Sequence, residues 1–371
     1  MTTSADIAIV GGGVAGLSLA AAIGGRASVV VLETEPQLFH HTSSRSAQQM
    51  QPTYGPAPVR RLTAASIRMV ERIAEGLGRP VFTSRPLLWL HGSPDRAAFD
   101  TVLATVPGLE EVSPDEAVRL LPALRRDLLV DAAIDRSAVE VDVPALLAAY
   151  RERALACGVR VLPLARVEGA DRVGDVWRLR TATDAVEAPI VVDAAGAWAD
   201  EVAALLGAAP QRLVPKRRTV AVARGTARSV DPGWPMAADV ADRYYFRPRG
   251  DTMLCCALED EPSAPEDARP RPDVVATAVA RVNAVTELAL GAPIDAWTGL
   301  RTVAADGLPV VGRDAAVDGL YWLAGQAGFG IQTSAALSAL VAADLLGEPH
   351  DLDQVLAEIG PGRAALRTVA E

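Results

Sequence analysis

Four apolar residues, Ile7 to Val10, run directly into Gly11-Gly12-Gly13-Val14-Ala15-Gly16, and small and apolar residues continue from there to Ile23. A short apolar run, a glycine cluster and a longer apolar stretch predict a buried strand, a tight turn and a helix. Ser28 to Leu32 adds a second buried strand that ends at Glu33, so the start of the chain fits one right-handed β-α-β unit with parallel strands. Ile67, Val70, Ile73 and Leu77 recur at helical spacing through Thr63 to Leu77, and Gly78 is a natural stop. From Val81 to about Glu140 short strands alternate with Pro-rich connections, which reads as an insertion with its own layer. Asp142 predicts a capped helix with Pro144 in its first turn, running through Leu147, Tyr150 and Leu155 to Gly158.

Strand patterns follow at Arg160 to Leu164, Trp177 to Thr181 and Ile190 to Val192, the last leading into Ala194-Ala195-Gly196. Val220 to Val222, Tyr244 to Pro248 and Met253 to Ala257 also read as strands. Leu258 to Asp273 is an acidic, Pro-rich loop, Asp273 to Leu290 is helical, and a last apolar helix spans about Ile331 to Leu346. The expected organisation is an α/β nucleotide-binding domain assembled from residues 1–80, 141–211 and 298–371, with a mostly antiparallel α+β domain built from 81–140 and 212–297.

Composition narrows the partners. The 371 residues are half apolar, and 36 basic against 46 acidic side chains leave a net charge of −10 with no basic run, which argues against a nucleic-acid or anionic-membrane surface. Lys216 is the single lysine, so Schiff-base chemistry has one position at which to occur. Cys157, Cys255 and Cys256 are odd in number and lack zinc-type spacing, so neither a disulfide framework nor a metal site is expected. No basic residue precedes the first apolar run and no run is long enough to span a bilayer, which predicts a soluble, cytoplasmic protein.

In the G-x-G-x-x-G of Gly11, Gly13 and Gly16, the first glycine permits the turn, the second admits a pyrophosphate and the third closes helix on strand. The helix N-terminus then faces the phosphates with its partial positive charge. Glu33, at the end of the second strand, suits ribose hydroxyls and repels a 2′-phosphate, which favours FAD or NAD over NADP. His40 to Ser46 is dense in hydroxyls, and as a bare pattern fits a solvated loop as well as a phosphate or flavin clamp. Near the C-terminus Gly325, Gly328 and Gly330 open the last helix, which makes a second place where backbone N–H groups can meet an electron-rich ligand edge.

Beyond the fingerprint and Glu33, the ordered motifs are His41 to Ala47 (HTSSRSA), Tyr54-Gly55, Val59 to Ser66 (VRRLTAAS), Ala194 to Trp198 (AAGAW), Pro215 to Arg218 (PKRR), Trp234-Pro235-Met236, Trp297 to Arg301 (WTGLR) and Gly328 to Ser334 (GFGIQTS). With these the chain resembles the flavin-dependent D-amino-acid oxidase superfamily, which includes glycine and sarcosine oxidases, and within it looks most like the bacterial D-arginine dehydrogenases. The resemblance implies a Rossmann-type domain with non-covalent FAD, held by Gly11, Gly13, Val14, Ala15, Gly16, Glu33, Thr42, Ser43, Ser44, Arg45, Ser46, Ala195, Gly196, Trp198, Gly299, Arg301, Gly328, Gly330, Ile331, Gln332 and Thr333. No cysteine follows Cys256 to attach the flavin, and the family context of His40 and His41 is a non-covalent loop.

The resemblance also implies an amino-acid pocket. Arg218 and Arg301 match the arginines that hold the substrate carboxylate, Tyr245 a tyrosine that bonds it, Tyr54 and Gln332 residues of the same cavity, and Met236 a wall residue. Guanidinium suits the task because its fork makes two parallel bonds to a planar carboxylate. The departures bear on substrate. Leu87, or its neighbour Leu88, falls where D-arginine dehydrogenase has a glutamate for the substrate's guanidinium, and burying an unpaired cation costs several kcal/mol, so D-arginine and D-lysine are expected to be poor substrates. Gln49 replaces a pocket histidine, and Ser44 replaces the glycine of the usual T-G-R-S.

The expected reaction is oxidation of a D-amino acid with an apolar or neutral side chain by hydride transfer from Cα to flavin N5, giving an imine and then a 2-oxo acid. A secondary amine or cyclic imino acid is the alternative substrate. Outside this class, a nicotinamide-dependent dehydrogenase shares the fingerprint, and a non-catalytic flavoprotein accommodates the changes at Ser44 and Gln49. The acceptor of the electrons, oxygen or a quinone, and the oligomeric state are left open by the resemblance.

Overall fold

The computed structural model describes residues 2–93 and 95–367, so 368–371 of the expected C-terminal segment lie outside the described residues. Ile7–Val10 and Val29–Leu32 pair in parallel at the centre of a six-stranded sheet. Arg160–Leu162 extends it on one side, Ile190–Asp193 and Leu320–Ala324 on the other, all parallel, and Val310–Arg313 closes it antiparallel. Parallel strands buried on both faces carry continuous apolar runs. One face is covered by the helices Val14–Ile23, Ala57–Leu77, Val143–Ala156 and Gly330–Leu346. On the other, the helix Ala199–Leu205 and a four-stranded sheet share a core around Trp177, Leu179 and Trp322.

The glycine fingerprint fixes how the first helix meets the first strand. Gly11 has φ +113°, and a side chain at Gly16 would place its Cβ 2.0 Å from the Gly11 carbonyl oxygen. The Val143–Ala156 helix starts where the sequence places it, with the Asp142 carboxylate accepting from the Ala145 N–H at 2.9 Å. The Ala57–Leu77 helix starts six residues before the expected Thr63, because Pro56 and Pro58 open it and Val59 and Leu62 extend its buried stripe. Thr63 and Ser66 sit inside it as buried hydroxyls that bond Gln332 and the Ala336 N–H of the last helix.

The second layer is an eight-stranded sheet in the order Asp295–Val303, Val214–Ala223, Thr252–Cys256, Tyr245–Arg249, Met236–Asp239, Leu87–His91, Asp131–Asp135 and Glu110–Val112. Every neighbouring pair is antiparallel except Met236–Asp239 with Leu87–His91. Leu87–His91, Glu110–Val112 and Asp131–Asp135 therefore join this sheet instead of forming a layer of their own, their apolar faces completed by the later strands, while Phe82–Ser84 and Val139–Val141 pair with Gln49–Met50 in a small three-stranded sheet. The strand at Val220 extends back to Val214 and carries Arg217 and Arg218, while Asp295–Val303 crosses the expected boundary between 297 and 298. The helix after the acidic loop is Pro272–Val285, shorter than expected, because Asn283 bonds both the N–H and the C=O of Leu290 and turns the chain back. Thr2–Ser4, for which no strand was expected, pairs in parallel with Ala185–Ala188. No helix among the described residues is long and apolar enough to cross a membrane.

Two predictions follow from this packing. Gly16→Ala forces backbone apart, so it should cost more than the ~1–3 kcal/mol of ordinary overpacking and lower both the thermal midpoint and the flavin content of purified protein; an unchanged midpoint contradicts the close approach. Asp193, at the end of its strand, is fully buried, and burial pushes its carboxyl well above the usual range despite a bond from the Ala195 N–H. A raised folded pKa favours folding below the unfolded value and loses that advantage as pH rises through the folded one. Asp193→Asn should therefore gain thermal stability over wild type as pH rises above about 4, where an unfolded carboxylate ionises, as read by unfolding scans; a pH-independent difference contradicts the buried acid.

Candidate active site

A cavity of about 700 Å³ runs from the glycine turn to the inner face of the eight-stranded sheet, within the roughly 300–1,000 Å³ of ligand pockets. Its first half is built by strand ends. Val10, Gly11, Gly13, Val14 and Ala15 form one wall, Leu32 to Glu35 and Ala165 to Glu168 another, and Ala194 to Trp198 a third. Ligands of open α/β sheets bind at these carboxyl ends. Ser43 bonds the Val14 N–H at 2.9 Å beside the turn, and a side chain at Gly13 would come within 3.2 Å of the Ser43 hydroxyl. Glu33, 9% exposed, accepts from the N–H groups of Gly12 at 2.7 Å and Glu35 at 2.8 Å, which orients its carboxylate along the cavity wall. A bare glycine cradle at a helix N-terminus with an oriented carboxylate beside it fits a dinucleotide such as FAD.

The far half is the sheet face that carries Leu87, Trp89, Met236, Ala238, Tyr245 and Val220. Alternation settles the choice between two leucines: Leu87 faces the cavity, while Leu88 lies in the core behind the sheet. Burial pushes the Tyr245 phenol far up, more than Arg301 and Arg218 offset, so it is a neutral donor at physiological pH. Tyr54 stacks obliquely on Phe329 at 5.6 Å, and Gln49 and Gln332 complete the lining.

The two arginines differ. Arg218 donates its Nε to the Glu259 carbonyl and pairs with Asp260 at 3.2 Å, so part of its fork is already occupied. Arg301, half-buried in the cavity wall, has no hydrogen-bond or ion-pair partner among the described residues. It lies against the backbone of Gly328, where a side chain would approach its Cζ to 2.9 Å. An unpaired guanidinium in a partly desolvated wall favours an anionic ligand.

Of the residues expected at the site, three do not line the cavity. Gly16 is packed on Gly11, Ser44 is exposed with its hydroxyl on the His40 and His41 carbonyls, and Thr333 is buried on the Phe329 carbonyl. Arg45 and Thr42 reach the cavity while bonding to the backbone of Thr298 and Leu300. Trp89, Gln51, Val220, Ala238 and Asp242 line the cavity without having been singled out. Strand alternation from Leu87 would have found Trp89. Asp242 faces Arg218, which partly offsets the burial that raises its carboxyl. Glu35, His40 and His41 also bring ligand atoms within 4.8 Å of one another at the cavity wall.

Residues 6–344 match the family model described as FAD dependent oxidoreductase. Mitochondrial dimethylglycine dehydrogenase of Rattus norvegicus is 25% identical over 268 residues, which is 69% of this chain, and the match spans only 31% of that longer relative. Glycine oxidase from Geobacillus kaustophilus superposes with TM-score 0.84 at 22% identity, covering 97% of this chain and 99% of that one. L-proline dehydrogenase from P. horikoshii superposes with TM-score 0.83 at 18% identity over 95% and 96% of the two chains. With the glycine cradle, the oriented Glu33 and a family match over nearly the whole chain, this protein belongs to the FAD dependent oxidoreductase family and takes FAD as its cofactor.

Proposed function

We propose that the chain oxidises the Cα–N bond of an amino acid, with a D-amino acid of apolar or neutral side chain as the substrate class, to an imine that water converts to a 2-oxo acid. The observation that carries this reading is the unpaired guanidinium of Arg301 in the cavity wall. In this assignment 1–80, 141–211 and 298–371 form the cofactor domain, and 81–140 with 212–297 form the substrate domain.

Arg301 takes the substrate carboxylate through its fork, Arg218 adds the part of its guanidinium that the acidic loop leaves free, and Tyr245 donates as a neutral phenol. Bound FAD supplies the two-electron acceptor for the Cα–H. The protein's share is orientation: holding the reacting atoms at about 3–3.5 Å is worth roughly 7–11 kcal/mol of the barrier. Leu87, Met236 and Ala238 keep water from the reacting carbon, and Tyr54 with water offers a path for the amine's proton. Leu87 leaves no carboxylate opposite a cationic side chain, which supports the exclusion of arginine and lysine.

A second reading, an N-substituted or cyclic amino acid, is supported by the names of dimethylglycine dehydrogenase and L-proline dehydrogenase among the similar proteins. Both readings place a carboxylate on Arg301. Arg301→Ala is predicted to retain FAD, raise KM and lower kcat/KM for anaerobic flavin reduction by roughly 10²–10³, in line with loss of one partner of a buried charge pair. Undiminished reduction in that variant contradicts the assignment.

A further inference from the structure

Four charged side chains line the cavity from the eight-stranded sheet and its connections: Arg218, Arg301, Asp242 and Glu266. Two of them are engaged by neighbours, Arg218 by the Glu259 carbonyl and Asp260, and Glu266 by Arg217. Asp242, like Arg301, has no hydrogen-bond or ion-pair partner for its side chain among the described residues. One unpaired cation and one unpaired anion in the same cavity match the carboxylate and the ammonium of an amino acid.

Asp242 sits in the hairpin between Met236–Asp239 and Tyr245–Arg249, and that turn is fastened without its carboxylate. Buried Asp239 holds the Arg243 guanidinium at 2.7 and 2.8 Å, its N–H bonds the Tyr244 carbonyl at 3.0 Å, and Arg281 of the Pro272–Val285 helix donates to the Arg243 carbonyl. The Asp242 backbone is left-handed, with φ +52°, a conformation Asp and Asn adopt more readily than most residues. The charges around it are Arg218, with Asp260 behind it, and the Asp239 and Arg243 pair on its own hairpin. Partial burial raises its carboxyl from the ordinary value, Arg218 offsets part of the rise and Asp239 adds to it.

An amino acid's ammonium has to lose a proton before its Cα hydrogen can leave as hydride, because the nitrogen lone pair forms the new C=N bond. We propose that Asp242 docks the substrate's ammonium and takes that proton, directly or through one water. The ammonium N–H bond breaks, its electron pair stays on nitrogen, and an O–H bond forms on Asp242. Asp242 is exposed as well as cavity-lining, so it can return the proton to solvent. The assignment rests on the amino-acid reading above and adds the base that the reaction needs.

The test is the pH dependence of anaerobic flavin reduction in FAD-loaded wild type and Asp242→Asn, with the neutral amino acid that reduces the wild-type flavin fastest. Asn suits the left-handed turn, so FAD content and thermal midpoint should match wild type; Asp242→Gly suits it as well and is the second variant. Wild-type kcat/KM should fall at low pH as Asp242 protonates, with the limb above the usual carboxylate range. In Asp242→Asn it should be lower by about 10²–10³ at pH 7, and recover roughly tenfold per pH unit toward wild type as the substrate's amine deprotonates in solution. A deficit of the same size at every pH, or wild-type rates in both variants, overturns the assignment and leaves amino-acid oxidation standing. A bound flavin that no amino or imino acid reduces overturns both.

Discussion

One short segment, Thr42 to Arg45, bonds the two large sheets to each other. The Thr42 hydroxyl donates to the Leu300 carbonyl at 2.9 Å and accepts the Leu300 N–H at 3.1 Å. Arg45 donates to the Thr298 carbonyl at 2.8 Å, and the Trp297 indole donates back to the Arg45 carbonyl at 3.1 Å. Each bond is modest, about 0.5–1.5 kcal/mol net, but together they pin the Asp295–Val303 strand across the end of the glycine turn. Gly299 permits the approach, since a side chain there would already touch Thr42 at 3.4 Å. The joint lies beside the cavity that runs from the glycine turn to the inner face of the eight-stranded sheet, and Arg301 enters that cavity from the joined strand.

The same region shows how one arginine is left available among several. Lys216, Arg217 and Arg218 stand side by side, and the acidic loop after Leu258 answers them almost residue by residue. Lys216 and Arg218 share Asp260, Arg217 pairs with Glu259 and Glu266, and Arg45 pairs with Asp267. Arg45 holds the Asp267 carboxylate below the usual range, so that contact stays charged at physiological pH. Arg301 lies outside this exchange. The loop thus leaves Arg301 free in the cavity wall, where a ligand carboxylate can reach it.

Much of the cofactor half was legible in the sequence because local chemistry dictates it. Gly11 needs a positive φ, Gly16 has no room for a side chain, Asp142 caps its helix, and Glu33 ends a strand beside the turn. The far half of the cavity was less legible because most of its wall meets through sheet register. Strand alternation separates Leu87 from Leu88, but only the pairing with Met236–Asp239 brings Met236 and Ala238 beside Leu87 and Trp89. The resemblance assigned both Arg218 and Arg301 to the substrate carboxylate; the partners that occupy Arg218 come from a loop distant in the chain. Gly16, Ser44 and Thr333 belong to family motifs yet face away from the cavity, since a motif mixes residues that touch a ligand with residues that shape the backbone around it.

The account turns on a carboxylate-bearing amine binding Arg301 beside the flavin. The most direct measurement is the visible spectrum of the FAD-loaded wild-type protein under anaerobic conditions, before and after a panel of D- and L-amino acids, proline and sarcosine is added. Bleaching of the oxidised flavin bands by neutral members of the panel, and not by arginine or lysine, is the predicted result. Bands that stay unchanged through the whole panel, or that bleach fastest with arginine, would contradict it.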